Sequence, residues 1–509
     1  MHTDKPNSLQ ASHGAGVSCA DDLVSHNETI RSDRASGRAI AIVGGGQVGL
    51  LTAHALVELG YRVTVYSERT AEDWLYRSSP GGAVVRFGDA LDWERELGVA
   101  YWEKAAPSIG GAHVTVCPKI GNRLATLAGR FDRPSQAIDL RLQCHRWMNE
   151  LEARGGTIVI DRVTVARLDE IAAENDLTIV AAGRGAIGEL FERDAARSTY
   201  SEPQRHLATA IVAGIAPVVP GVPFLPIKIN LLGPLGECVF APYFHRDLGP
   251  AWNVLIEAKP GTPFDRFANA RSAGDVVAWA KEMIREFLPW EASFVKDMEP
   301  ADENGWLIGR VTPTVRSAVG RLPSGRMVMP LGDTAMSLDP IGGQGANNGY
   351  RMARNLIRHI VTHEDRPFDA EWMQNSFDSF YRAHGQVTDL FNNTLLGPMT
   401  PAGQELLIAQ YGSDGTDHGD LGRQAIADAF VQGFADPRSL TPLLHDRDAA
   451  RRFIAEHTHR PWWYAGIRGR LGIARGQLRQ ALGASPGHPF AGPDPAHPKA
   501  TMHSNIVTT

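Results

Sequence analysis

Three glycines near the start of the chain have a spacing that can bind phosphate. Gly44, Gly46 and Gly49 form the pattern G-x-G-x-x-G directly after the apolar run 39–43. In such a turn the first glycine makes the bend, the second lets a pyrophosphate approach the backbone, and the third lets a helix pack closely on the strand. The free N–H groups at the start of that helix attract the phosphates. The pattern predicts a dinucleotide site and does not distinguish FAD from NAD.

The elements around this turn have the order that a dinucleotide-binding unit requires. A helical pattern at 50–59 ends at Gly60, and the apolar segment 61–66 is typical of a second strand, which Glu68 closes. An acid about 20 residues after the motif accepts hydrogen bonds from a ribose. The alternative is a glycine-rich turn in some other α/β domain. The ordered strand, turn, helix, strand and acid favour dinucleotide binding.

A second glycine pattern lies later in the chain. G-x-G-x-x-G recurs at 183–188, after the apolar strand pattern 177–182, but no acid-ended strand follows it. An ordinary strand-to-helix turn explains this pattern at least as well as phosphate binding.

Residues 332–348 indicate a further part of a cofactor site, after the apolar strand pattern 326–331. Asp333 at the strand end can bind a ribityl hydroxyl, and the glycines at 342–345 let the backbone approach a flat ring. The helix beginning at about Ala346 can stabilise a negative charge with its N-terminus. Another turn with a capped helix is the alternative. It does not explain why Gly-Asp and Gly-Gln-Gly both occur about 300 residues after the first motif.

Composition narrows the classes of protein. The chain has 509 residues, enough for two or three domains, and its net charge of −6 argues against a nucleic-acid surface. The sequence contains no run of 18 apolar residues, so it predicts no membrane span. The four cysteines are too far apart for a metal site and are typical of free thiols in a reducing cytoplasm. They are Cys19, Cys117, Cys144 and Cys238.

The two motifs together resemble the FAD-binding fold of the flavoprotein aromatic hydroxylases. More of the chain is similar to one branch, the styrene/indole monooxygenases, which are two-component FAD-dependent epoxidases. The blocks that carry this resemblance are 63–69, 134–142, 151–156, 202–205, 331–340 and 343–347, with a weaker match at 427–430. The resemblance covers about 38 to 455. Its most specific parts are Ser-x-Ala-Ile-Asp-Leu-Arg-Leu from Ser135 and Leu-Glu-Ala-Arg-Gly-Gly from Leu151.

The motifs and the resemblance assign a set of residues to FAD. The set is Gly44, Gly46, Gln47, Val48, Gly49, Glu68, Arg69, Arg77, Gln136, Arg141, Gly183, Asp333, Pro340, Gln344, Gly345, Ala346 and Asn347. We expect the start of the helix at 346–347 to face the anionic flavin. Asn347 would either contact the cofactor or cap its own helix. No catalytic side chain and no metal is predicted, since oxygen transfer by a flavin hydroperoxide needs no side-chain nucleophile.

Departures from the family pattern bear on electron supply and on substrate. Single-component hydroxylases carry an Asp-Gly pair where this chain has Ala182-Gly183, and its absence fits a protein that receives reduced FAD from a separate reductase. Arg77 matches a family arginine, but the nearby Asn is replaced by 78–81, which leaves the substrate open. Flavin halogenases also resemble this fold, and their Trp-x-Trp-x-Ile-Pro motif is absent.

The resulting prediction of architecture is an α/β fold. A Rossmann-like FAD domain with a mixed or parallel sheet takes 38–205 and 310–365, and a substrate domain with an antiparallel sheet takes 206–309. A helical region follows at 366–456. A disordered extension, 1–37, precedes the fold, and a basic, aromatic segment with a disordered tail, 457–509, ends it. The basic segment is either an amphipathic helix that docks on lipid or a partner, or one that packs on its own protein, which we favour. Locally, we expect a polar turn at 69–73 and a helix from Ser135 to about 154.

The resemblance implies a monooxygenase. Reduced FAD, supplied by an NAD(P)H:flavin reductase, would react with O₂ at C4a, and the hydroperoxide would give one oxygen atom to a hydrophobic alkene or aromatic ring. The substrate would be similar to styrene or indole, or a larger biosynthetic intermediate. Two alternatives stay open: a self-sufficient NAD(P)H-dependent aromatic hydroxylase, and a non-catalytic flavin-binding module.

Overall fold

The computed structural model describes residues 37–80, 84–120, 123–182, 187–216, 218–219, 221–416 and 422–482. The predicted disorder of both termini therefore lies outside the described residues. The strands are β1 Ala39–Val43, β2 Arg62–Ser67, β3 Val85–Arg86, β4 Ile109–Cys117, β5 Ala125–Ala137, β6 Thr157–Ile160, β7 Leu177–Val180, β8 His206–Ala213, β9 Pro226–Leu232, β10 Gly236–His245, β11 Gly249–Ala258, β12 Glu299–Pro300, β13 Trp306–Arg310, β14 Thr314–Val315, β15 Gly320–Arg321, β16 Met327–Pro330 and β17 Met336–Ser337.

The helices alternate with strands in the first half and dominate the second half. They are α1 Gln47–Glu58, α2 Ala71–Arg77, α3 Gly88–Glu96, α4 Leu140–Ala153, α5 Val165–Glu174, α6 Ala273–Phe287, α7 Gly345–His363, α8 Ala370–Phe380, α9 Gln386–Leu396, α10 Pro401–Ala409, α11 Arg423–Ala435, α12 Pro437–His445, α13 Arg447–Thr458 and α14 Trp462–Ala481.

A six-stranded sheet in the order β15-β16-β7-β1-β2-β6 is the centre of the first half. Its strands are parallel except for the edge strand β15. Every residue of β1 is buried, as expected for a strand with helices on both faces. Val180 pairs with both Val43 and Pro330, so β1, β7 and β16 end at the same edge. The segments that follow these three strands therefore lie side by side, where open α/β sheets bind ligands.

A second sheet in the order β12-β8-β11-β10-β9-β4-β5-β3 carries the predicted substrate side. The pairs among β8, β9, β10 and β11 are antiparallel, as predicted, whereas β4 and β9 are parallel. Helix α6 packs on this sheet around Phe264, Met283 and Ile284. Strands β3, β4 and β5 come from the segment assigned to the FAD domain, and the domain bounds stay a prediction.

Helices α8 to α13 occupy the predicted C-terminal helical region, and α14 lies in the basic, aromatic segment after it; the α/β fold class with C-terminal helices is confirmed. Helix α11 packs on β5, where a Cβ at Gly129 would lie 2.3 Å from the Ala427 carbonyl oxygen. Within the described ranges, no helix has both the length and the apolar character needed to cross a membrane. The same residues contain no cluster of metal-binding side chains.

Two local predictions are wrong. The polar turn expected at 69–73 is the start of α2, where Thr70 and Asp73 form a reciprocal capping box. The helix expected from Ser135 begins at Leu140, because the preceding residues continue β5 beside β3. Asp139 is the actual N-cap, and its side chain accepts a hydrogen bond from the backbone N–H of Arg141.

Candidate functional site

The three glycines of the turn after β1 have different surroundings: two pack against backbone, and one faces open space. Gly44 has φ +130°, and a Cβ there would lie 2.5 Å from the Ala181 carbonyl oxygen. A Cβ at Gly49 would lie 2.2 Å from the Gly44 carbonyl oxygen, so α1 packs directly on the turn. A Cβ at Gly46 would meet nothing within 4 Å. Only the second glycine therefore faces a space in which a ligand could lie against the backbone.

The second motif packs against the first through α1. A Cβ at Gly349 would lie 2.8 Å from Val48, and one at Gly332 would lie 3.6 Å from the same side chain. Gly343 has φ +63° and faces open space. No described side chain caps either α1 or α7, and neither helix has an acid in its first turn. The structure therefore places two uncapped helix N-termini at one edge of the sheet, and both can attract negative charge.

The acid that closes β2 lies beside this edge. Glu68 is exposed, and no described residue pairs with its carboxylate. A Cβ at Gly45 would lie 2.5 Å from Ser67 Oγ, which brings the glycine turn against the end of β2. Asp333, in the turn after β16, is exposed as well.

The two arginines after Glu68 are held by their own neighbourhood. Arg69 lies over the Trp74 ring at 4.8 Å. Arg77 is on the last turn of α2 with 82% of its side chain exposed, and it pairs with Asp73 at 3.0 Å. The loop of 78–81 that the family comparison singled out is described only to residue 80, and Gly183 also lies outside the described residues.

Two residues predicted to bind the cofactor are buried, and their side chains bind other protein groups. Gln136 Nε2 donates to the carbonyl oxygens of Glu103 and Ala106. Arg141 donates to both oxygens of Asp139 at 2.9 and 2.7 Å and to both oxygens of Asp302 at 3.1 and 2.7 Å. Arg141 therefore belongs to an internal ion network, and its assignment to the cofactor stays a prediction.

The network of Arg141 connects α4 to the second sheet. Nε2 of His245, the last residue of β10, lies 2.6 Å from Asp302 Oδ2. Burial opposes ionisation of Asp302, but hydrogen bonds from His245 and Arg141 outweigh it and hold the pKa of that carboxyl well below its usual range. The network therefore keeps its charges and fixes α4 to the end of β10.

Gln344 and Asn347 also bind protein rather than open space. Gln344 Nε2 donates to the carbonyl oxygens of Gly342 and Phe434. Asn347 Nδ2 donates to the Val85 and Gly343 carbonyl oxygens, and its Oδ1 accepts from the Phe87 N–H at 3.1 Å. Asn347 therefore does not cap α7, its amide binds protein backbone, and its contact with the cofactor stays a prediction. It fixes β3 beside the glycine turn before α7, while Ala346 and Gly345 stay half-buried at the helix start.

A buried polar cluster behind the first glycine turn was missed by sequence reasoning. Arg86 is fully buried and pairs with Glu94 at 2.6 Å, and the Tyr350 hydroxyl donates to the same carboxylate. Arg86 also donates to Gln143 Oε1, which accepts from Gln47 Nε2 at 2.7 Å. Single charged residues in unrelated segments gave no signal of this cluster. Arg86 Nη2 has no hydrogen-bond partner among the described residues.

Two buried carboxyl groups, Asp339 and Glu257, lie on the side of the turn that precedes α7. Asp339 precedes Pro340 and the short turn to Gly343; its Oδ1 accepts from the Ile341 N–H, and its Oδ2 has no described partner. Burial raises the pKa of Asp339 to about 6. Burial, reinforced by the charge of Asp339, raises the pKa of Glu257 well above its usual range.

The residues present fit FAD. Gly46 and Gly343 provide open backbone positions for a pyrophosphate and a flat ring, and two uncapped helix starts provide N–H donors for their charges. A buried guanidinium nitrogen without a described partner lies in the cluster behind the turn. These observations support the predicted site, and the individual assignments stay predictions.

Comparisons with known proteins agree with this geometry. The family described as "Styrene monooxygenase A putative substrate binding domain" matches residues 183–293, which contain β8 to β11 and α6. Styrene monooxygenase StyA of Pseudomonas fluorescens is 26% identical over 332 residues, which cover 64% of this chain and 78% of that protein. The chain is thus similar to the styrene monooxygenases. A second StyA, from Pseudomonas sp, is 27% identical over 336 residues with the same coverage.

A solved structure supports the fold. CmlS, a flavin-dependent halogenase, is similar with a TM-score of 0.53 at 16% identity, covering 87% of this chain and 78% of that chain. At this identity the likeness shows the fold alone. The StyA relatives and the family match confirm the predicted resemblance and support the class of flavoprotein monooxygenase with FAD as its cofactor.

Proposed function

We propose that the protein is the oxygenase component of a two-component system, which uses reduced FAD and O₂ to transfer one oxygen atom to a small hydrophobic alkene or aromatic substrate. The observation that carries this proposal is the pair of glycine turns that meet at one sheet edge, each beside an uncapped helix start. Reduced FAD supplies the activation of O₂ and the oxygen transfer when it is bound. The second oxygen atom leaves as water, and the flavin provides the two electrons.

The chain's own residues bind and orient the cofactor. The N–H groups at the start of α1 would hold the pyrophosphate beside Gly46, and Glu68 would accept hydrogen bonds from the ribose. Asp333 would bind the ribityl chain. The N–H groups at Gly345 and Ala346 would stabilise the negative charge of the reduced ring, because a buried charge without such partners is very costly.

The second sheet would exclude water from the reacting face of the ring. Asn347 fixes Val85 of β3 beside Gly343, and Val85 packs with Ala137 and the fully buried Tyr243. An apolar wall next to the predicted ring is the environment that a hydrophobic substrate requires. The residues of this wall would decide which substrate binds and whether it is epoxidised or hydroxylated. The named relatives favour a styrene-like substrate.

Electrons would come from a separate NAD(P)H:flavin reductase. Ala182-Gly183 lacks the Asp-Gly pair of the self-sufficient hydroxylases. The named StyA relatives support the same arrangement. We place the protein in the cytoplasm, since Cys117, Cys144 and Cys238 are free and buried.

The test compares product formation with and without a source of reduced FAD. The purified protein is incubated in air with FAD, NADH or NADPH, and styrene, with or without an unrelated flavin reductase, and styrene oxide is measured by gas chromatography. We expect product only with the reductase. Indole and a range of larger alkenes are tested in parallel, since styrene is one member of the class.

Two results would contradict the proposal. Rapid NADPH oxidation with product formation by the protein alone would establish a self-sufficient hydroxylase. Tight FAD binding without oxygenation of any alkene or aromatic compound, with chemically reduced FAD supplied, would favour a non-catalytic flavin-binding module.

A further inference from the structure

Helix α14 packs on the protein through its smallest residues. Ala465 is fully buried, and a Cβ at Gly469 would lie 2.0 Å from the Ile408 carbonyl oxygen of α10. A Cβ at Gly472 would lie 2.4 Å from the Tyr411 ring, whose hydroxyl donates to the Gly472 carbonyl oxygen. This close approach fixes which face of α14 points away from the protein. The favoured prediction, that the segment packs on its own protein, is thus correct for this face.

Four large apolar residues of α14 lie on the opposite face, whereas Trp462 packs on the protein. We call this set the α14 stripe; it consists of Trp463, Ile467, Leu471 and Leu478, which are between 52% and 67% exposed. Spacings of four and seven residues place them in one row along the helix. A surface helix of a soluble domain buries such residues and exposes its polar ones. In α14 the arrangement is reversed, and contiguous exposed apolar surface of this kind marks an interaction site.

Arginines flank the α14 stripe on both sides. At about 100° per residue, Arg470 lies on one side of the stripe, and Arg475 and Arg479 lie on the other. All three are exposed, and no described residue forms an ion pair with them. From 457 to 493 the sequence contains no Asp or Glu, although the whole chain has a net charge of −6. The surface of α14 around the stripe is therefore locally cationic on an acidic protein.

We propose that α14 is a membrane-surface anchor, which lies flat on an anionic bilayer with the α14 stripe inserted among the lipids. Apolar residues between two rows of cations, with a tryptophan at one end, match the apolar interior and the charged headgroups of such a surface. A second copy of the chain is a poorer occupant. A twofold contact between two stripes would bring the arginine rows of both copies together. The proposal is independent of the reaction at the flavin site.

The test is co-sedimentation of the full-length protein with vesicles at about 0.1 M salt. One set contains phosphatidylcholine with about one third phosphatidylglycerol, and the other contains phosphatidylcholine alone. We expect binding only to the anionic set, and less binding as salt is raised. Loss of three juxtaposed arginines weakens attraction by about 100-fold, and removal of two inserted leucines has a similar effect.

Two variants and two matched controls separate the causes. The stripe variant is Leu471→Ser with Leu478→Ser, and its control is Val361→Ser with Leu390→Ser, which are exposed apolar residues on other helices. The charge variant replaces Arg470, Arg475 and Arg479 by Gln, and its control replaces the exposed Arg62, Arg382 and Arg452 by Gln. Both test variants should lose vesicle binding, and both controls should keep it. Each substituted side chain is exposed, so circular dichroism and thermal unfolding should be unchanged in all four.

Three outcomes would overturn the proposal. The first is that the parent protein does not sediment with anionic vesicles. The second is that it binds only after removal of 483–509, which would make the chain's own tail the occupant of the stripe. The third is that the parent is a dimer that the stripe variant dissociates, with no vesicle binding, which would make the stripe an interface between copies.

Discussion

Replacing Gly46 by Val should abolish FAD binding and leave the fold intact. Gly46 has φ −86° and ψ 179°, which any residue adopts, and its added Cβ would meet no protein atom within 4 Å. The cost to folding should therefore stay below about 1 kcal/mol. The new side chain would occupy the space that we assign to the pyrophosphate. Loss of two charge-assisted hydrogen bonds to the α1 N–H groups, each worth about 1.5–3 kcal/mol, weakens binding by about 10²–10⁴-fold.

The assay is titration of FAD, oxidised and chemically reduced, with thermal unfolding measured on the same samples. Gly44→Val is the control for a purely structural glycine, because it combines φ +130° with a Cβ 2.5 Å from the Ala181 carbonyl oxygen. We expect it to lose at least about 2 kcal/mol of stability. If Gly46→Val binds reduced FAD as tightly as the parent, the turn at 44–49 does not hold the pyrophosphate and the assignment is refuted.

Three further predictions concern the rest of the site. Gly345→Val should keep the fold, since its Cβ would come no closer than 4.0 Å to Asp333 Oδ1, but it should release more hydrogen peroxide per product formed from reduced FAD; an unchanged ratio would contradict our placement of the ring. Asp339→Asn should stabilise the protein by about 3 kcal/mol at pH 7.5 and not at pH 4, measured by urea unfolding. Folding raises the pKa of this carboxyl from 3.8 to about 6, so the parent protein loses stability as the pH rises through that interval, whereas the amide does not ionise. Arg141→Met should cost about 3–5 kcal/mol by leaving two carboxylates without their cation, while FAD affinity of the folded protein is retained; weaker FAD binding at unchanged stability would restore Arg141 to the cofactor.

The parts of the site that could be predicted from the sequence depend on residues that are close together in the chain. The turn at 44–49, the strand that Glu68 closes and the α7 start each depend on a few neighbouring residues, whose backbone requirements leave a direct pattern in the sequence. The antiparallel sheet in 206–309 was also predicted, because apolar runs alternate there with Gly-Pro turns.

The parts that were missed depend on contacts between distant segments. The hydroxyl of Tyr350 donates to Glu94 of the buried cluster, and Asn347 of α7 binds the backbone of β3, each across more than 250 residues of chain. Neither side chain has a local pattern that reveals its partner. β3 itself is only two residues long, and its place at the edge of the second sheet is set by pairing with β5. Burial of these polar groups can be read only from the folded chain.

The block most specific to the family has a structural explanation. In Ser-x-Ala-Ile-Asp-Leu-Arg-Leu, β5 ends and α4 begins, and the Asp139 N–H donates to the Phe244 carbonyl oxygen of β10. Asp139 caps α4 and binds Arg141, which binds Asp302 next to His245. The Asp and the Arg of the block are thus needed together, since either one alone would leave a buried charge without its partner. The block that carries the family resemblance therefore fixes the start of α4 against the end of β10 through a buried ion network.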